Sequence, residues 1–209
     1  CRIPPMEPIV LASASPRRRE LLIKMGLEPL VRAADIDESF PPGRDDFEAL
    51  CGELARRKIE AVLGRPELKA YRWFLGADTV VIQDGRVIGK PRDRDEARDF
   101  ITKLQGAPHK VVTGVALYDR DSGRFHLAAE TSRVRIAHMT SEEIDWYLDT
   151  GEWQGVAGGY RIQEKGACFI QSIKGNYTNV MGLPTRLVYE ILRANNYPFG
   201  IKSSGSGTP

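Results

Sequence analysis

Apolar positions along the chain change their period repeatedly, and each change marks an element boundary. Ile9 to Ala12 is a short apolar run ending in small residues, and Pro16 then opens a stretch with Leu21, Leu22 and Met25 at helical spacing before Gly26. This reads as a strand, a tight turn and a helix. Leu30 to Ala34 reads as a second strand, while Phe47, Leu50, Leu54, Ile59 and Leu63 mark a longer helix on both sides of Gly52. Phe74 to Ile82 is an apolar, β-rich run closed by Asp84-Gly85, the strongest short hairpin signal, with a return strand Arg86 to Ile88. Asp93 and Glu96 predict a capping box for a helix that carries Ala97, Phe100, Ile101 and Leu104 and stops at Gly106. Two long strands follow, Lys110 to Tyr118 and Phe125 to Ala137, the second with the polar alternation of a sheet with one wet face. Ser141 is the expected cap of a helix reaching Leu148, Gly155 to Gly159 a flexible bend, Ala167 to Ile173 a strand, and Leu183 to Leu192 a closing helix. Strands alternate with helices but hairpins interrupt them, which predicts an α/β fold whose twisted β-sheet is mixed, with flanking helices.

Composition narrows the function more than the fold. At 209 residues the chain fits one large domain or two lobes sharing a sheet. No apolar run approaches the roughly 18 residues of a membrane span, so no membrane partner is expected. A net charge of +2 is too balanced for a broad cationic face, and stable nucleic-acid binding is not expected. Cys1, Cys51 and Cys168 are odd in number, widely spaced and preceded by no secretory signal, so reduced thiols in a cytoplasmic setting are expected. His109, His126 and His138 lack ligand spacing, and there is no dinucleotide-binding or P-loop fingerprint.

Four segments carry candidate chemistry. In Ser13-Ala14-Ser15-Pro16-Arg17-Arg18-Arg19, Pro16 suits the first helical position and Ser15 the N-cap, which leaves backbone N–H groups free as an anion pocket. Three arginines in a first turn oppose the helix dipole by about 0.3 to 1 kcal/mol each, a penalty that a bound polyphosphate reverses. Asp78 stands in an otherwise apolar strand, where a carboxylate must be bonded, paired or coordinated to a cation. Strand alternation puts Asp78 and Thr79 on opposite faces, so both serve one site only if the strand ends or bulges there. Pro91 forces Lys90 into an extended conformation that aims its ammonium at a phosphate, and Glu38 is placed to join Asp78 around a hard cation such as Mg²⁺. Glycines at 158, 159 and 166 let backbone approach a flat ligand, and the Gln163 amide offers a donor and an acceptor to a base edge.

Read in order, Ser13-x-Ser15-Pro16-Arg17-Arg18, Ala77-Asp78-Thr79, Gly89-Lys90-Pro91, Thr113-Gly114-Val115, Tyr160-x-Ile162-Gln163 and Gly175-Asn176-Tyr177 resemble the Maf family from Ile9 to Asn195. The resemblance implies one Maf-like domain over residues 6–200; the flanking residues 1–5 and 201–209 read as disordered termini from the sequence itself. It implies a fold similar to inosine triphosphate pyrophosphatases, two lobes around a cleft, frequent homodimers, and hydrolysis of a nucleoside triphosphate to monophosphate and pyrophosphate with Mg²⁺ or Mn²⁺. The Tyr-x-Ile-Gln pattern resembles the dTTP/UTP branch rather than the 7-methyl-GTP branch. By similarity Asp78 is the proton acceptor, Arg17, Thr79 and Gln163 are specificity positions, and Ser13, Arg18, Glu38, Lys58 and Lys90 are further polar positions of the site. Two departures stand out: Glu164 follows Gln163 where the family usually has glycine, and Arg57-Lys58-Ile59 replaces a commoner Glu-Lys-Ala. Family members are also linked to inhibition of septum formation, which keeps a non-enzymatic regulator as an alternative, beside a purine or 7-methyl-GTP preference. A nucleic-acid reading through Arg17 to Arg19 and Arg56 to Lys58 ranks last.

Overall fold

The computed structural model describes residues 7–41 and 43–199. The termini expected to be disordered, 1–5 and 201–209, lie outside the described residues. Seven strands, β1 (Ile9–Leu11), β2 (Pro29–Val31), β3 (Trp73–Gln83), β4 (Arg86–Ile88), β5 (Pro108–Asp119), β6 (Arg124–Ile136) and β7 (Ile170–Lys174), form one sheet in the order β2-β1-β3-β5-β6-β7, with β4 added to β3. β1 runs parallel to β2 and β3, whereas the hairpin-joined strands pair antiparallel, as the alternating pattern predicts. The flanking helices are α1 (Pro16–Lys24), α2 (Phe47–Leu63), α3 (Arg94–Leu104), α4 (Ser141–Asp149), α5 (Tyr177–Val180) and α6 (Thr185–Ala194).

β3 is the centre of the molecule and both its faces are covered. Phe74, Val80 and Ile82 pack with residues of α2, while Trp73, Leu75, Ala77 and Val81 enter the larger cluster on the opposite face. This is why β3 reads as a continuous apolar run rather than an alternating one. α2 lies directly on the sheet because two glycines face it: a Cβ at Gly76 would sit 2.1 Å from the Ala55 carbonyl oxygen, and one at Gly114 2.2 Å from the Cys51 carbonyl carbon. Along one edge β3 is paired to β5 from Trp73 to Ile82. Along the other, β1 covers only Trp73 to Leu75 and β4 only Val81 to Gln83. Among the described residues, 76–80 therefore have one unpaired edge.

Several boundaries differ from expectation for local reasons. β2 stops at Val31 rather than Ala34, because its partner β1 ends at Leu11, whose carbonyl takes the last bond from Arg32. Asp93 caps α3 by accepting from Glu96 N, but the Glu96 carboxylate turns to the Arg92 N–H and guanidinium instead of closing the box. The full capping box belongs to α4, where Thr140, not Ser141, is the N-cap and Glu143 reciprocates. Residues 165–169 form a 3₁₀ turn, so β7 begins at Ile170, and α6 begins after Pro184. The Asp84-Gly85 hairpin forms with φ of 49° and 73°, as a primed turn requires.

Candidate active site

The chain from β1 into α1 turns as its sequence dictates. Ser15 is the N-cap, accepting from Arg18 N at 3.4 Å, and Ser13 Oγ accepts from Ser15 N at 3.2 Å. The three arginines then part company: Arg18 is buried, Arg17 half-buried and Arg19 exposed. Arg18 donates from Nε to the Gly182 carbonyl (2.8 Å), from Nη1 to Ser13 Oγ (3.1 Å) and from Nη2 to Thr79 Oγ1 (3.0 Å). Burial pushes its pKa down, with partial compensation from Asp78 and Glu38. Arg17 is also lowered, first by burial and then by the like charges of Arg161 and Arg18. Desolvated guanidiniums that repel one another at a helix N-terminus are relieved by an anion.

Across the cleft lie the carboxylates. Lys58, on α2, reaches Asp78 Oδ1 and Glu38 Oε1, each at 2.6 Å, and Lys90 reaches Glu38 Oε2 at 3.3 Å. Lys58 and Asp78 are each only 5% exposed. Burial raises Glu38, but its bonds to Lys58 and then Lys90 outweigh that, and its pKa falls below the usual glutamate value. Asp78 Oδ2 has no hydrogen-bond partner among the described residues, and the carboxylate lines the cleft. Among the described residues no three His, Cys, Asp or Glu side chains converge as a metal cage. Two carboxylates nevertheless fit Mg²⁺ or Mn²⁺, which is commonly held by one or two carboxylates and completed by water and substrate phosphate oxygens. Glu38 and Asp78 are the pair that would hold it, in competition with the Lys58 ammonium.

Asp78 and Thr79 both reach the cleft although β3 neither ends nor bulges, which corrects the condition set from the sequence. The unpaired edge at 76–80 is the reason: a site lying alongside an open edge receives side chains from both faces. Thr79 meets the α1 side, through Arg18 and through Thr113 Oγ1 at 2.9 Å, while Asp78 meets α2.

Ser13, Arg17, Arg18, Glu38, Lys58, Asp78, Thr79, Lys90 and Gln163 all line one cleft of ≈ 450 Å³, whose far wall is built from residues 154–157 and 160–163. Gln163 makes no side-chain hydrogen bond among the described residues, so neighbours do not fix its amide orientation. Behind it the Tyr160 hydroxyl is 2.7 Å from His109 Nε2, and burial holds the His109 imidazole down at about 4. Sequence reasoning missed Arg161, whose only signal was its place inside the Tyr160-x-Ile162-Gln163 segment. It also missed Asn179, fully buried and polar in the unforeseen α5. Of the two basic runs, Arg18 and Lys58 are buried and line the cleft, whereas Arg19 and Arg57 are exposed.

Residues 8–195 match the family described as Maf-like protein. The chain is 44% identical over 192 residues to a protein of Pelotomaculum thermopropionicum named dTTP/UTP pyrophosphatase, covering 92% of this chain and 98% of that one. A protein of the same name from Geobacter metallireducens is 45% identical, over 88% of this chain and 94% of its own. Another, from Symbiobacterium thermophilum, is 42% identical, over 97% and 100%.

Proposed function

The chain belongs to the Maf-like family, and from that premise we propose that it is a hydrolase cutting dTTP and UTP to the monophosphate and pyrophosphate, aided by a divalent cation. The observation that carries this reading is the cleft itself: desolvated arginines at the N-terminus of α1 face the carboxylates of Glu38 and Asp78 across ≈ 450 Å³. The names of the relatives supply the substrate.

Arg17 and Arg18 bind and neutralise the β and γ phosphates, assisted by the free N–H groups of the turn. Lys90 neutralises charge from the opposite side. Asp78 Oδ2 accepts a proton from the water that attacks the α phosphorus in line, as the bond to the bridging oxygen breaks and pyrophosphate departs. Lys58 holds the other oxygen of Asp78 and so fixes the carboxylate's direction. A bound cation would supply charge neutralisation on the phosphate oxygens. Thr79 supports Arg18 on the phosphate side, and Gln163 completes the pocket on the nucleoside side.

The test is a nucleoside triphosphate panel with Mg²⁺ or Mn²⁺, read by pyrophosphate release, with chelation and Asp78→Asn as controls. UTP and dTTP should be cleaved, activity should vanish with EDTA, and folded Asp78→Asn should lose about 10²-fold or more of turnover. Uniform inactivity of the native protein would sink the reading. Near-normal turnover by the variant would remove Asp78 from proton transfer.

A further inference from the structure

The arginines are held from behind by a short segment that Asn176 joins to Ser132 through its backbone and that one buried side-chain amide ties to both β5 and β6. Asn179 is wholly buried in α5 and donates from Nδ2 to the Val111 carbonyl (3.0 Å) and to Ser132 Oγ (2.9 Å). Its backbone carbonyl accepts from Thr113 Oγ1 at 3.2 Å, and that hydroxyl also meets Thr79 Oγ1 at 2.9 Å. Immediately downstream, the Met181 carbonyl accepts from Arg17 Nε at 3.4 Å and the Gly182 carbonyl from Arg18 Nε at 2.8 Å. Gly182 presents its carbonyl from φ of 106°, a conformation that L side chains rarely adopt. Both Nε groups are thus occupied by carbonyls, and Arg17 keeps its two Nη groups without protein partners among the described residues. Those are the donors a phosphate takes bidentately.

The amide can face only one way. Val111 offers a carbonyl, so Nδ2 must point there, and Oδ1 is left buried with no partner. An apolar side chain of similar size would fill the space without that orphan, so packing does not account for an asparagine here; the strands and the loop it ties together do. We propose that Asn179 is a positioning residue for the arginine pair, fixing segment 179–182 to β5 and β6 so that Met181 and Gly182 aim Arg17 and Arg18 at the pyrophosphate end of the substrate. The ligand named here rests on the pyrophosphatase reading; the positioning does not.

The experiment compares native protein with Asn179→Leu and with Thr113→Val, a near-isosteric change that removes the hydroxyl joining Asn179 to Thr79. Two readouts are used: ¹⁵N-arginine Nε–H resonances without ligand, and calorimetric affinities for inorganic pyrophosphate and for UMP. Folded Asn179→Leu should shift the Arg17 and Arg18 Nε–H signals, weaken pyrophosphate binding about 10-fold or more and change UMP binding far less. Thr113→Val should move the same signals in the same direction by less, and carries the test if Asn179→Leu does not fold. Unmoved Nε–H signals in the folded variants overturn the positioning role, and so does an equal loss of both affinities. Moved signals in a chain whose native form cleaves no triphosphate overturn the pyrophosphatase reading alone.

Discussion

Lys58 is the residue on which the carboxylate side of the cleft depends, because one ammonium satisfies Asp78 and Glu38 at 2.6 Å each. Removing it leaves a buried carboxylate uncompensated, a change that usually costs about 3–5 kcal/mol. Lys58→Met should therefore melt well below the native protein, and Mn²⁺ without nucleotide should raise its melting temperature more than the native one. Equal Mn²⁺ responses, measured by calorimetry, would show that the ammonium does not compete with a cation. Gln163 follows a different logic. A uracil or thymine edge offers a carbonyl oxygen and an N3–H, whereas cytosine reverses the pattern, and a fixed amide would discriminate by about 1 to 3 kcal/mol per unpaired group. Since no neighbour among the described residues pins the amide, it can turn to suit either base. Gln163→Ala should thus lower kcat/KM for UTP and dTTP by about 5-fold or more but move the UTP to CTP ratio by less than about 10-fold. A ratio that collapses by more would mean the amide is fixed once substrate binds.

At the scale of elements, the seating of α2 decides where Lys58 points. Gly114 faces Asp78 across the β3 and β5 pairing and lies beneath α2. Gly114→Ala drives a Cβ to 2.2 Å from the Cys51 carbonyl carbon, and backbone rather than a flexible side chain must give way. The expected cost is about 1–3 kcal/mol or more, with the Lys58 to Asp78 contact displaced as α2 lifts. Urea unfolding checks the first, and loss of activity in the surviving folded fraction the second; native stability would sink the argument. Helices α1 and α2, the hairpin at Asp84-Gly85 and the long β5 and β6 strands were legible in the sequence, because each depends on local periodicity and turn chemistry. The short α5 was not. Its four residues carry too little pattern, and it is held by Asn176 capping and by Asn179, a contact 68 residues distant from Val111. Asp78 was legible as a carboxylate in an apolar strand and Arg17 and Arg18 as cations in a capped first turn, whereas Lys58 was legible as a site position only through the family resemblance. Their meeting was not, since it depends on an unpaired strand edge that no local signal announces.

For the whole molecule, the buried His109 imposes a pH dependence on stability. Burial lowers its pKa from 6.5 to about 4, so between those values the unfolded chain binds a proton that the native one refuses. This contribution is fully present above pH 6.5 and is lost as pH falls toward 4, by about 3 kcal/mol in total. The urea midpoint of the native protein should fall over that window more than that of His109→Gln; identical slopes would exclude the imidazole as the source. The gap in the sheet has another whole-molecule signature. The Leu75 carbonyl bonds Ala12 N, so alternation directs the backbone of Ala77 and Thr79 to that same edge, between the ends of β1 and β4. Among the described residues their amide hydrogens have no strand to bond, while those of Gly76 and Asp78 face β5. Amide deuterium uptake should accordingly be fast at Ala77 and Thr79 inside an otherwise protected central strand, and a nucleotide seated against that edge should slow it, making the middle of β3 a built-in reporter of cleft occupancy.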